Sequence, residues 1–470
     1  MAVYECDVCG FIYDEELEGV PWDELGDDWE CPACGADKSE FRLIEPAVTA
    51  QAQPSAPESA VVALYPGEWT RKSDELEVHM ASIHQMAASG ESIIEPMRTK
   101  APVFSWDDLL IMGAQLARLP LNEEDAVNSQ TVIGPLAKHP LVIESPIYVT
   151  HMSFGALSRE IKVALAKGSA AVKTAMCSGE GGILDDSLES AYKYVFEYVP
   201  NRYSVTDEYL QRVDAIEIKI GQSAKPGMGG HLPAEKVTEE ISAIRGFPQG
   251  VDIISPSHFP DIKDPHGLKE KVDWLRAESG GRPIGIKFAA GNIEDDLEVA
   301  LFARPDFVTI DGRPGATGAA PRFVKHGTSV PTVFALCRAR AYLDRHGAEG
   351  VSLLITGGLR ISSDFAKALA LGADGIAIGT AAMMAAGCQQ YRLCHTGKCP
   401  VGIATQDPEL RTRVDIEAAA GRMERFLRVS TAELETFARL TGNSDVHALS
   451  IADIRTTNSE ISNHTAIEHV

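Results

Sequence analysis

From Ile143 onward one pattern repeats along the chain: a short apolar run, then a longer stretch with helical spacing. The runs are PIYVT, AAVKTAM, AIEIKIG, VDIIS, IGIKFAA, DFVTIDG, SLLITGG and GIAIGT, which makes eight candidate strands. Between them lie stretches such as SREIKVALAKGS, AEKVTEEISAIRG, NIEDDLEVALFAR, TVFALCRARAYLDRHG and SSDFAKALALG, several ending in the glycine that often stops a helix. Eight strand and helix alternations favour an α/β fold of the closed (β/α)8 kind over an open doubly wound sheet. The link over residues 177–214, between the second and third runs, is longer and is expected to carry helices of its own.

The rest of the chain divides around this barrel. Residues 46–60, PAVTAQAQPSAPESA, lack periodicity and read as a semi-extended tether, which separates a small unit at 1–45 from everything that follows. Residues 61–140 read as a helical extension of the barrel, with helical pieces expected near 74–88 and 105–119. The barrel itself is assigned to 141–420, and 421–470 reads as a helix followed by a polar, mobile end. An apolar content of 44% with 23% charged residues is ordinary for a globular protein of 470 residues. No stretch has the apolar length of a membrane span, and the start MAVYECDVCG lacks the regions of a signal peptide. A cytoplasmic protein without membrane partners is expected.

The formal net charge is -24, and residues 1–45 hold 14 Asp or Glu against 2 Lys or Arg. So acidic a unit repels nucleic acid; it either steers basic docking partners or is simply a solvated face.

Seven of the nine cysteines form two groups. Cys6, Cys9, Cys31 and Cys34 are two C-x2-C pairs 21 residues apart, a spacing that lets four thiolates converge on one iron or zinc. Cys388, Cys394 and Cys399 are followed by Pro400, and three thiolates without a fourth suit a three-iron cluster better than tetrahedral zinc. An odd count and clustered thiols argue against a disulfide framework. Cys177 and Cys337 stand alone; the first is a core cysteine or a neighbour of the active pocket, the second a packing residue.

Nearly every strand candidate runs into a Gly, Ser or charged cluster, among them HMSFGALS, CSGEGG, GQSAKPGMGGH, KFAAGN and DGRPGATGAA. In a barrel of this kind the reacting groups sit where strands end. Gly357 and Gly358 after strand seven, with Gly379 and Thr380 after strand eight, stand where such barrels bind a phosphate through backbone N–H groups. Each pair taken singly could be no more than a turn.

The motifs MSFGALSRE at 152–160, SGEGG at 178–182, EIK at 217–219, AKPG at 224–227, TGGL at 356–359 and CHTGKCPVGIATQ at 394–406 together resemble the flavin domain of glutamate synthases, over roughly residues 140–420. CDVCGFIYD and DELGDDWECPACGADKSEF resemble a rubredoxin over 3–43, with a shortened loop between the cysteine pairs that leaves a zinc ribbon open.

The first resemblance implies FMN in the barrel, contacted by Met152, Ser153, Ser178 and Gln222, with Lys287 at the N1 and O2 edge of the ring and the two glycine loops on the phosphate. A positive charge near N1 stabilises reduced, anionic flavin. The alternative for Lys287 is a barrel lysine paired with an acid. It further implies that Glu180, Lys225 and Lys287 are catalytic, and that Glu180, Lys225, His231 and Arg245 bind a 2-oxo or amino dicarboxylate such as 2-oxoglutarate. Arg245 taken alone could equally be an exposed helix arginine. The cysteine-rich segment with Cys388 is implied to hold a 3Fe-4S cluster, and the rubredoxin unit a mononuclear iron.

The chain departs from the commonest form of one motif. Glutamate synthases commonly read AKPGEGGQ where this chain reads AKPGMGGH, so Met228 replaces an acid and His231 a glutamine. His231 either hydrogen-bonds a carboxylate or is structural. No leading cysteine nucleophile stands at the N-terminus, so nitrogen is expected to arrive as ammonia, from another amine, or through a glutaminase or amidotransferase subunit.

The leading expectation is a glutamate synthase-type oxidoreductase that reduces 2-iminoglutarate to L-glutamate, fed by an electron-donor protein or reductase through the N-terminal unit. The competing expectations are amine transfer of the N-methylglutamate synthase type on the same scaffold, and a non-catalytic electron-transfer or metal-binding protein.

Overall fold

Eight parallel strands close into a barrel in strict chain order. They are β1 (Ile147–Val149), β2 (Ala175–Cys177), β3 (Lys193–Tyr198), β4 (Ala215–Lys219), β5 (Ile284–Ala289), β6 (Phe307–Asp311), β7 (Ser352–Thr356) and β8 (Gly375–Ile378). The computed structural model describes residues 3–8, 11–15, 20–26, 29–32, 35–44, 69, 71 and 73–470.

Alternation along each strand sorts the side chains. Outward residues such as Ile216, Ile218, Ile286, Val308, Ile310 and Ile355 are buried beneath the surrounding helices. The helices that matter below are α1 (Arg159–Ala171), α2 (Glu239–Arg245), α3 (Pro265–Glu278), α4 (Ile293–Phe302), α5 (Thr332–Arg345), α6 (Ser362–Ala370), α7 (Thr380–Ala385) and α8 (Ile416–Leu440).

The barrel interior has two tiers. Toward the strand starts it is an apolar plug that includes Tyr148, Ala175, Val195, Phe307 and Leu354, adjoined by Ile133, Leu141 and Ile143 from the antiparallel pair Thr131–Ile133 and Leu141–Ile143. Gly285 makes room for this plug: a Cβ there would lie 2.0 Å from the Phe307 ring. Toward the strand ends the interior turns polar, with Glu197 opposite Glu217 across β3 and β4, and Lys287 opposite Lys219 across β4 and β5. Apolar packing below and charge above define where chemistry can occur.

Four expectations are corrected. The third barrel strand is Lys193–Tyr198, inside the link read as helical; the run VDIIS instead gives Ile253–Ile254, which pairs antiparallel with His231–Leu232 above the barrel. Residues 105–119 are not a helix. Ser105 caps a single turn at Trp106–Asp108, after which Leu109–Ile111 pairs with Ile454–Thr456. The extension at 61–140 is mostly irregular, its one α-helix among the described residues being Met80–Ser89. The chain's end is not a loose tail, because that pairing buries Ile454, and Ile461 and Ile467 are buried with it.

In the N-terminal unit, Val3–Cys6 pairs on either side with Ile12–Asp14 and Phe41–Ile44. Its core is aromatic: Tyr4 stacks on Trp22 at 4.2 Å between centroids, and Tyr13, Trp29 and Phe41 close around the same ring. No helix among the described residues is long and apolar enough to cross a membrane.

Candidate active site

The polar tier is a connected network. Lys287 Nζ lies 2.6 Å from Glu197 Oε1 and 3.8 Å from Glu217 Oε2, and all three residues are buried. Burial works against the ammonium, yet Glu197, Glu217 and Asp311 outweigh it and raise the Lys287 pKa. The Glu197 carboxyl is pushed well below its ordinary range: burial opposes this, and His151 and Lys287 override it. His151 Nδ1 accepts the Gly179 N–H at 3.2 Å, so in the neutral ring the proton sits on Nε2, 3.1 Å from Glu217 Oε2. Ser223 donates to Asp311 at 2.7 Å. His151, Glu197 and Glu217 stand close enough to ligate a metal, but the Lys287 ammonium already supplies their counter-charge.

Above this floor Glu180 and Lys219 form a close ion pair. Burial alone would raise the Glu180 carboxyl, and Lys219 reverses it to a net lowering. The loop after β4 leans directly on Glu180, since a Cβ on Gly230 would overlap its carboxylate at 2.4 Å. Lys225 reaches back to the Gly229 carbonyl at 3.0 Å and is 9% exposed. Its pKa falls to about 8, chiefly by burial and then by Lys219, with Glu180 and Glu197 offsetting part of the loss. Arg245, at the end of α2, is buried: Nη2 donates to the Phe154 carbonyl at 2.7 Å, and the guanidinium lies over the Tyr203 ring. It is therefore not an exposed helix arginine, and its Nε has no hydrogen-bond partner among the described residues. A buried cation with an unspent donor favours an anionic ligand.

One cavity of about 570 Å³ joins these groups. Met152, Ser153, Glu180, Gln222, Lys225 and Met228 line it, as do His231, Arg245 and Lys287; the opposite wall holds Gly357, Gly358, Gly379 and Thr380. Ser178 is placed elsewhere: it is fully buried, its hydroxyl accepting the Glu197 N–H at 2.9 Å and so fixing the end of β3. His231 sits at the rim, half exposed, with its ring 2.8 Å from Asp252. Lys162 in α1 donates to the carbonyls of Met152, Cys177 and Ser178 at 2.8 to 3.0 Å, which ties together the ends of β1 and β2. Cys177 belongs to the apolar plug, and burial pushes its thiol up, which fits the core reading. Cys337 in α5 is likewise pushed up to about 12 by burial.

The glycine wall suits a phosphate. Gly357 and Gly358 take φ of 108° and 89°, and a Cβ on Gly357 would lie 2.0 Å from the Gly312 carbonyl, so only glycine allows this turn. Arg360 follows directly, lowered to about 10 by burial and by Arg98. Backbone donors beside the Arg360 cation match the donor set of an anionic phosphate. Lys287 is paired with an acid, Glu197, as its alternative reading expected, yet it still lines the other end of the cavity, and the residues present fit FMN.

Cys388, Cys394 and Cys399 are close enough to influence one another: burial first, then Cys388 and Cys399, push the Cys394 thiol up to about 12. Lys236 Nζ, which donates to the Cys394 carbonyl at 2.7 Å, also lines the main cavity, as does Cys394. In the N-terminal unit Cys6 and Cys31 share one buried cluster; Cys9 and Cys34 lie outside the described residues. Leu393 packs against that same cluster, and the next residue along the chain is Cys394.

Sequence reasoning missed His151, Glu197 and Arg360 as site residues, along with Glu217 and Lys219, although the last two lie in the EIK motif and His151 begins HMSFG. Glu197 carried no readable signal once its strand had been taken for part of a helical link.

Residues 78–444 match the conserved region in glutamate synthase, and residues 3–41 match rubredoxin. A glutamate synthase large subunit-like protein of Rhizobium meliloti is 37% identical over 395 residues, which is 80% of this chain and 89% of the relative. An archaeal-type glutamate synthase (NADPH) of Thermotoga maritima is 34% identical over 79% of this chain and 77% of its own. The archaeal glutamate synthase (NADPH) of Archaeoglobus fulgidus is 30% identical over 469 residues, 94% of this chain and 88% of the relative. Since the conserved region spans most of its length, the chain belongs to the glutamate synthase family, as an oxidoreductase with a rubredoxin-like unit ahead of its barrel.

Proposed function

We propose that this protein reduces 2-iminoglutarate, formed from 2-oxoglutarate and ammonia, to L-glutamate. The observation that supports this reading is a single cavity lined by the glycine turns at Gly357, Gly358 and Gly379, by the buried Lys287, and by two further buried cations, Lys225 and Arg245. FMN bound there supplies the hydride. Lys287 would hold a positive charge against the cofactor, Lys225 and Arg245 would orient the two carboxylates, and Glu180 would hold or move a proton at the substrate nitrogen.

The N-terminal thiolates bind one iron, with zinc as the alternative, and Cys388, Cys394 and Cys399 bind a 3Fe-4S cluster. Electrons come from a separate donor protein or reductase and enter at the N-terminal unit; the Leu393 contact beside Cys394 supports this route. Ammonia comes free or from a glutaminase partner. A cytoplasmic location fits, because reduced thiols persist there.

The test is anaerobic incubation of the purified protein with 2-oxoglutarate, nitrogen-15 ammonium and reduced methyl viologen. Labelled L-glutamate that requires all three is the expected result. Flavin- and iron-replete protein that forms none refutes the reading.

A further inference from the structure

A second cavity, of about 300 Å³, lies outside the barrel wall. Its sides are apolar: Ile286 and Phe288 on the outer face of β5, Leu268 on α3, Val299 on α4, and Phe259. His258, Asp264 and Asp296 stand toward its exposed end, and at the other it meets the main cavity, since Glu180, Lys219, Met228 and Gly229 line both.

We propose that this side cavity receives the apolar substituent of a primary amine, whose nitrogen reaches Glu180 at the junction with the main cavity. The inference rests on the proposed function for the dicarboxylate and the reductant, and it names the class of the nitrogen donor. Three observations carry it. The cavity is too large for ammonia alone, since a water-sized molecule occupies roughly 30 Å³, on the order of a tenth of the space. Lys219 in its lining is already taken by the Glu180 carboxylate, and the apolar walls offer no further compensation to a desolvated carboxylate, so the 2-oxo acid stays with Lys225 and Arg245. The two aspartates at the exposed end draw in a cation, and Glu180 at the inner end is an anion, its pKa lowered by Lys219 against the opposing effect of burial. The thioether of Met228 continues the apolar surface to the junction.

The chemistry balances. The amine nitrogen adds to the 2-oxo carbon with loss of water, giving an imine. One hydride from reduced flavin and one proton convert it to an N-substituted amino acid. Ammonia is the smallest member of this series.

The test is calorimetric titration of the full-length protein with ammonium, methylammonium, propylammonium and pentylammonium. Affinity should rise about fourfold per methylene and the rise should vanish in Val299→Trp, whose side chain fills the cavity from a half-exposed position. Should that variant fail to fold, judged by circular dichroism, 1-propanol decides the point on the unaltered protein: it must bind at least tenfold more weakly than propylammonium. A flat series, a rise that survives in folded Val299→Trp, or 1-propanol binding as well as propylammonium overturns the proposal. A flat series with labelled glutamate still formed from ammonium refutes the side-cavity assignment alone, and a rising series with no glutamate refutes the proposed function alone.

Discussion

Raising the pH from 7 to 9 should loosen the dicarboxylate, because Lys225 titrates in this window. Its pKa lies at about 8 rather than 10.5 in the absence of ligand. The sign follows from linkage: the lysine is charged below pH 8 and neutral above it, while a bound carboxylate favours the charged form, so binding takes up a proton at alkaline pH. The charged fraction drops from roughly nine-tenths at pH 7 to roughly one-tenth at pH 9, and affinity should fall about tenfold, or about 1.4 kcal/mol. Lys225→Met should remove the pH dependence and weaken binding at pH 7 by about 1.5–3 kcal/mol, the usual range for a hydrogen bond to a charged group. Calorimetry of 2-oxoglutarate in buffers of different ionisation enthalpy reads both affinity and proton uptake. Uptake near zero at pH 7 and approaching one at pH 9 is expected. A flat affinity between pH 7 and 9, or an unchanged pH dependence in Lys225→Met, would refute the placement of this lysine on the ligand.

Cys6→Ser and Cys394→Ser should each lower iron content, but from different pools; metal analysis and electron paramagnetic resonance of the two variants check this, and stoichiometric zinc at the first site would defeat the mononuclear iron assignment. Leu393→Asp places a charge in the apolar contact around Cys6 and Cys31 and should slow reduction by a protein donor at least tenfold, while reduction by dithionite changes little; equal donor rates would remove the N-terminal unit from the electron route. Lys162→Met strips the donor from three buried carbonyls, and at about 1–3 kcal/mol for each unsatisfied group it should cost at least ~3 kcal/mol and lower the Tm clearly, whereas an unchanged melting curve would show that those carbonyls find other donors.

The barrel was legible because its strands are uniformly apolar on the outer face and end in glycine or charge, a pattern that survives without tertiary information. The third strand was the exception. KYVFEY carries a charge at its start and a glutamate near its end, and Glu197 looks polar in sequence while it points into the barrel beside Lys287. VDIIS has the composition of a barrel strand, yet it pairs with His231–Leu232, because the long loop after β4 needs a partner above the cavity. Residues 105–119 have helical spacing, but burial of Trp106 and Leu109 against α6 and the returning chain end decides their conformation.

At the site, thiolate spacing and glycine loops could be read directly, since each imposes its geometry locally. The burial of Arg245, the Glu180 and Lys219 pair, and the meeting of Leu393 with the N-terminal cysteines join residues far apart in sequence, and no local pattern announces them. Ser178 stands in the expected motif, but its side chain is fully buried and its hydroxyl accepts the Glu197 backbone N–H.

The most direct test of the central claim is a single turnover. Protein reduced anaerobically to its bleached form is mixed with 2-oxoglutarate and ammonium while flavin absorbance is followed, and the amino acid formed is counted. Colour should return only when both substrates are present, with one L-glutamate formed for every two electrons lost from the flavin. Colour that returns without glutamate, or a flavin that stays reduced with both substrates at saturation, would contradict it.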